Sequence, residues 1–94
     1  MKKVLILGAG LSGIGSAELA KRNSFDILLS ESNEIDAKIK SKLKKLDIEF
    51  EENSHTNAKT YSADLVIKSP GIPDESEIIN SLSKKGLSII SEIE

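Results

Sequence analysis

Lys3-Val4-Leu5-Ile6-Leu7-Gly8-Ala9-Gly10-Leu11-Ser12-Gly13 is the stretch on which the fold class turns. Its first half is an aliphatic run closed by a glycine, the pattern of a strand buried on both faces, as in a parallel sheet. Its second half is a G-x-G-x-x-G that follows the strand at once and opens a helix. Gly8 permits the tight turn, Gly10 lets the backbone approach a ligand with no Cβ in the way, and Gly13 lets the helix lie close to the strand. The bare glycine pattern is widespread. Its place directly behind a buried strand, within about ten residues of the start, is the context that gives it meaning. A helix N-terminus so placed presents amide donors and a positive dipole end, which favours a phosphate or diphosphate. The competing reading is a strand-to-helix turn that holds no ligand.

Working outward, Ile27-Leu28-Leu29, Leu65-Val66-Ile67 and Leu87-Ser88-Ile89-Ile90 repeat the short β-type block, while Ile48-Glu49-Phe50-Glu51 alternates like a half-buried edge strand. Helical stretches lie between them. Residues 12–22 carry the small-residue face Ile14, Ala17 and Ala20. Residues 35–46 place Ile35, Ile39, Leu43 and Leu46 on one side and lysines on the other. A third helix is predicted from Pro73, with Asp74 and Glu75 in its first turn, Lys84 and Lys85 in its last, and Gly86 as its stop. The order is β-α-β-α-β, a polar connection over 52–63, then β-α-β. Right-handed crossovers turn that order into a single α/β domain over residues 1–94, a Rossmann-like open five-stranded parallel sheet in the order 3-2-1-4-5 with helices on both faces. Ser91-Glu92-Ile93-Glu94 fits either a capping box that begins another helix or a polar tail.

Composition narrows the function. Leu, Ile, Val and Phe supply 28 of 94 residues, enough for a core. A formal charge of −2 and three aromatics leave no electrostatic or stacking footprint for nucleic acid. The absence of cysteine excludes disulfides, thiolate metal sites and a cysteine nucleophile. No apolar run approaches the ~18–20 residues of a membrane span, and the N-terminus has no signal-peptide core, so a soluble, cytoplasmic chain is expected.

Three segments are candidates for ligand contact. The first is Gly10, Leu11, Ser12 and Gly13, facing a diphosphate. The second is Ser30-Glu31-Ser32 at the end of strand two, where an acid about 20 residues past the glycine loop commonly binds a ribose hydroxyl. Whether Ser30 or Glu31 makes that contact is open, and a solvated carboxylate is the plain alternative. The third is Ser69-Pro70-Gly71-Ile72-Pro73 behind strand four, which the 3-2-1-4-5 order sets across the switch-point crevice from the glycine loop. Its prolines stiffen it, and it also serves as a helix lead-in. His55 is the single histidine and reads as a surface-loop residue with an option of lying near a ligand's base. Lys68, next to the crevice, reads as a snorkelling strand-end lysine whose stem is buried, the alternative being attraction of a phosphate. No G-x-x-x-x-G-K-[ST] loop, nucleophile–base pair or carboxylate cluster for a metal is present. These residues suit binding a nucleotide rather than reacting it, and no catalytic residue and no metal ligand is assigned.

Taken together, Gly8–Gly13, Ala63-Asp64-Leu65-Val66-Ile67-Lys68-Ser69-Pro70-Gly71-Ile72-Pro73 and Ile89-Ile90-Ser91-Glu92-Ile93-Glu94 resemble the N-terminal domain of a Mur ligase over the whole chain. The resemblance is to the branch that adds D-glutamate to UDP-N-acetylmuramoyl-L-alanine. It implies a three-domain cytoplasmic enzyme of peptidoglycan synthesis whose first domain binds UDP. ATP and Mg²⁺ would belong to the central domain, part of the D-glutamate site to the last, and an acyl-phosphate would form outside these residues. The 94-residue chain would then need no cofactor of its own and be inactive alone, its partners being UDP-N-acetylmuramoyl-L-alanine and the other two domains, with no nucleic acid and no membrane. Carried over by position, Leu11, Ser12 and Gly13 would face the diphosphate. Ser30, Glu31 and Ser32 would lie near the uridine, with Ser69, Pro70 and Gly71 opposite. Many members have Asp at the end of strand two where this chain has Ser30-Glu31. An NAD-binding domain of a dehydrogenase or regulatory module, and an interaction domain with an empty loop, remain the alternatives.

Overall fold

The computed structural model describes residues 2–69, 72–73 and 75–91, without the side chains of Leu11, Ser12 and Ser91. Five strands, β1 (Lys3–Leu7), β2 (Asp26–Ser30), β3 (Glu49–Glu51), β4 (Leu65–Lys68) and β5 (Ile89–Ser91), form one sheet in the order β3-β2-β1-β4-β5. All pairs are parallel, so the expected architecture stands. Central β1 is aliphatic on both sides because helices cover both of its faces: Val4, Leu5, Ile6 and Leu7 are all buried.

Right-handed crossovers sort the core into two layers. On one face α1 (Leu11–Arg22) and α2 (Ala37–Lys45) pack Ile14, Ala17, Ala20 and Leu43 onto Val4, Ile6, Ile27 and Leu29. On the other, α3 (Thr56–Thr60) and α4 (Glu77–Lys84) pack Ala58, Ile78, Ile79 and Leu82 onto Leu5, Leu7, Leu28 and Val66. Each fully buried leucine contributes roughly 1.5–3 kcal/mol over its exposed state. The α2 stripe is read correctly, with the helix itself starting after Asp36, whose carboxylate accepts the Lys38 N–H at 3.1 Å.

Two expectations need correction. The polar connection over 52–63 contains a short helix, α3, that has no apolar periodicity of its own. The helix expected from Pro73 begins instead at Glu77, with Ser76 as its N-cap. Pro73 and Ser76 close a turn ahead of it, the Ser76 N–H donating to the Pro73 carbonyl at 3.1 Å. Glu77 rather than Glu75 therefore stands in the first turn, and Asp74 lies outside the described residues. Ser91 ends β5, and the remainder of the possible capping box, 92–94, also lies outside them. Among the described residues, no helix is long and apolar enough to cross a membrane.

Candidate nucleotide site

The parallel sheet brings the C-terminal ends of β1, β2 and β4 to one edge, and the three candidate segments meet there. The Gly8 N–H donates to the Ser30 carbonyl at 2.8 Å, and the Ser69 N–H donates to the Leu7 carbonyl at 2.9 Å. The glycine loop is thus tied to the end of β2 on one side and to the loop behind β4 on the other.

The three motif glycines answer to different demands. Gly8 has φ +107°, and a Cβ built on it would stand 2.8 Å from the Ser69 Cβ. Gly13 allows α1 to close on the turn, since a Cβ there would stand 2.3 Å from the Gly8 carbonyl oxygen. Gly10 is the N-cap of α1 in an extended conformation, and a Cβ there would meet nothing within 4 Å among the described residues. Gly8 and Gly13 are therefore required by the fold itself, whereas the space at Gly10 is open. The first intrahelical bond is Ile14 N–H to Gly10 carbonyl, 3.1 Å, so the amides of Leu11, Ser12 and Gly13 have no acceptor within the helix. The first turn of α1 has no side-chain cap and no acidic residue, which leaves this dipole end uncompensated from within the helix.

Glu31 faces this loop. Its Oε1 accepts the Ala9 N–H at 2.9 Å and its Oε2 accepts the Asn33 N–H at 2.9 Å. Ser32 beside it is exposed. Ser30, by contrast, is fully buried, with Oγ 2.8 Å from Glu51 Oε2, 3.2 Å from the Ser54 carbonyl and 2.7 Å from His55 Nδ1. Its hydroxyl is committed inward, so of the pair left open at the end of β2 the reachable carboxylate is Glu31.

Across the crevice, Lys68 is buried rather than only buried along its stem. Its ammonium donates to the Ile72 carbonyl at 2.9 Å, and the Ile72 N–H donates to the Ser69 carbonyl at 3.0 Å. Ile72 is thereby tied back to the end of β4. Pro70 and Gly71, expected on this wall, lie outside the described residues, as do the side chains of Leu11 and Ser12.

The cluster behind Ser30 is the part that sequence reading missed. The β2–β3 register sets Ser30 opposite Glu51. The Glu51 carboxylate accepts Asn57 N–H at 3.0 Å and Ala58 N–H at 2.8 Å, capping α3 from the neighbouring strand. Partial burial pushes this carboxyl up, but bonds from Asn57, Ser30, Ala58 and Ser54 outweigh it and hold it below the usual range. His55, half-buried at the start of α3 and not on a free loop, is pushed down by its burial against the opposing pull of Glu51 and Glu31, with Lys59 adding to the depression. The signal was present in the sequence only as a lone His and a Glu four residues apart.

A second cleft of about 350 Å³ opens at the other end of the strands, between Lys3, Lys21, Asp26, Asp47, Glu49 and Tyr61. It is remote from the glycine loop. Among the described residues, no group of three or more His, Cys, Asp or Glu is arranged for a metal ion.

A family model described as the MurD N-terminal domain matches residues 3–78. A Christiangramia forsetii protein named UDP-N-acetylmuramoylalanine--D-glutamate ligase is 52% identical over 93 residues, 99% of this chain and 21% of that protein. A Bacteroides fragilis protein of the same name is 47% identical over the whole chain and again 21% of its own length. Among solved structures, the UDP-N-acetylmuramate-alanine ligase MurC of Thermotoga maritima superposes with a TM-score of 0.82 at 25% identity, covering 98% of this chain and 21% of that one. The chain thus spans about a fifth of the length of the curated relatives it matches. The family model and the relatives that cover the chain agree, and the sheet order is consistent with them: this chain belongs to the MurD N-terminal domain family of the Mur ligases.

Proposed function

We propose that residues 1–94 form the UDP-binding N-terminal domain of a three-domain ligase that adds D-glutamate to UDP-N-acetylmuramoyl-L-alanine. The observation that carries this reading is the open mouth of α1. Three amides without helical acceptors stand behind a Gly10 whose Cβ position is empty, facing the Ser69 wall, in a chain of the MurD N-terminal family. A diphosphate supplies the negative charge and acceptor oxygens that this helix end lacks. Gly10, Leu11, Ser12 and Gly13 hold the diphosphate from one side, and Ser69, Pro70 and Gly71 from the other. Glu31 and Ser32 take the ribose side, with Ser30 holding the end of β2 in place. Binding requires the Glu31 carboxylate either to keep its bond from Ala9 or to exchange it for one from a ribose hydroxyl.

ATP and Mg²⁺ belong, in this reading, to the central domain, and part of the D-glutamate site to the last. Residues 1–94 bind and orient the nucleotide end of the substrate and contribute no group to the amide-forming step, so the chain alone is inactive. UDP alone binds weakly, because the sugar and peptide make their contacts elsewhere. Amide chemical-shift mapping with UDP tests the site. Shifts centred on Gly8–Gly13, Glu31 and Ser69 support it, and shifts centred on the cleft around Tyr61 refute it.

A further inference from the structure

Ser30 has one hydroxyl proton and three polar neighbours, Glu51 Oε2 at 2.8 Å, His55 Nδ1 at 2.7 Å and, longer, the Ser54 carbonyl at 3.2 Å; the two oxygens can only accept. Glu51 is an acceptor only. Its oxygens also take N–H bonds from Asn57 and Ala58 and a hydroxyl bond from Ser54. The Ser30 proton therefore goes to Glu51, and the Ser30 oxygen must accept from His55. That puts a proton on Nδ1, and in the neutral imidazole it leaves the lone pair on Nε2. His55 is only half-buried, so its ring is not sealed in the core. Its neighbourhood is the ligand edge of the sheet. The Ser30 carbonyl holds Gly8, and the next residue, Glu31, holds Ala9.

We infer that His55 recognises the nucleoside end of the bound nucleotide, held by Ser30 and Glu51 as the Nδ1–H tautomer so that Nε2 accepts a hydrogen bond from the nucleoside. The inference rests on the reading that the crevice takes a uridine diphosphate. It adds a specificity-determining residue that neither the glycine motif nor the strand-two acid supplies. The donor is of one of two kinds, a ring N–H, which uracil carries at N3 and cytosine does not, or a ribose hydroxyl, common to both. The same network explains why Ser30 occupies the end of β2: its buried hydroxyl fixes the tautomer.

His55 is the single histidine of the chain, so a long-range ¹H–¹⁵N spectrum reports one imidazole. The free protein is expected to show a protonated Nδ1 and an unprotonated Nε2, and UDP is expected to move the Nε2 resonance. His55→Ala should weaken UDP binding roughly fivefold, the scale of one neutral hydrogen bond, while His55→Gln, which can offer an amide oxygen, retains more of it. A loss for UDP but not CDP assigns the donor to the ring N–H, and equal losses assign it to the ribose. An Nδ1-unprotonated imidazole, or an Nε2 signal unmoved by UDP together with an unimpaired His55→Ala, overturns the inference while leaving the UDP site standing. Absence of UDP binding by the unmodified chain overturns both. The tautomer and its response to UDP are read on the unmodified chain, so the test survives a variant that fails to fold.

Discussion

Replacing Gly10 by valine separates binding from folding. The Gly10 backbone, φ −77° and ψ −173°, is extended and open to any residue, and its Cβ position has no neighbour within 4 Å among the described residues. Valine is a poorer N-cap than glycine by about 0.5–1 kcal/mol, while the lost chain entropy of glycine returns about 0.4–1 kcal/mol. The two nearly cancel, so the melting temperature should stay within about 4 °C of the parent. The new side chain would occupy the space in front of the α1 amides. Displacing the diphosphate from one charge-assisted hydrogen bond costs about 1.5–3 kcal/mol, at least a tenfold loss of UDP affinity. Gly13→Ala should do the opposite. Its Cβ would stand 2.3 Å from the Gly8 carbonyl oxygen, so α1 must back away until that contact exceeds 3.0 Å. Overpacking of about 2 kcal/mol would lower the melting temperature by roughly 8–16 °C. Thermal denaturation by circular dichroism and UDP titration by calorimetry read the two effects separately. A folded Gly10→Val chain that binds UDP like the parent refutes the placement of the loop, and a Gly13→Ala chain of unchanged stability refutes the close packing.

Two further outcomes follow from the surrounding bonds. Glu51→Gln leaves one of the Asn57 and Ala58 amides without its carboxylate acceptor and should cost about 1–3 kcal/mol at neutral pH. Because the Glu51 carboxyl lies below its ordinary 4.5 in the folded chain, its stabilisation is fully present above that pH and fades as pH falls through the lower folded value. Denaturant unfolding of the variant should therefore be flatter in that acid range, and the His55 imidazole, deprived of a neighbouring anion, should titrate lower still. An unchanged acid limb would contradict the assignment. Lys68→Met keeps the buried stem and removes the bond to the Ile72 carbonyl, so unfolding should show a loss of about 1–3 kcal/mol together with weaker UDP binding. Parent-like values for both would show that this bond does not organise the wall.

The sheet was legible because its signals are local. β1, β2 and β4 are covered on both faces and so appear as unbroken aliphatic blocks, and the Leu43 stripe of α2 repeats with helical period. What escaped depends on register. α3 is five residues long with Ala58 as its single apolar residue, and the carboxylate that caps it comes from Glu51 on β3. The inward turn of Ser30 requires knowing that β3 sets Glu51 opposite it. The start of α4 was misplaced for a local reason: proline suits a first helical turn, but the Pro73–Ser76 segment closes a separate turn and the phase of Ile78, Ile79 and Leu82 sets the helix behind it. The packing of the glycine loop was legible, since Gly8 and Gly13 meet the demands read from their spacing.

Calorimetric titration of this chain with UDP-N-acetylmuramoyl-L-alanine, UDP and NAD tests the central claim most directly. The crevice between the glycine loop and the Ser69 wall should bind both uridine ligands, and bind NAD less well or not at all. Preferential binding of NAD, or no binding of any of the three, would contradict the assignment of this sheet edge to a uridine diphosphate.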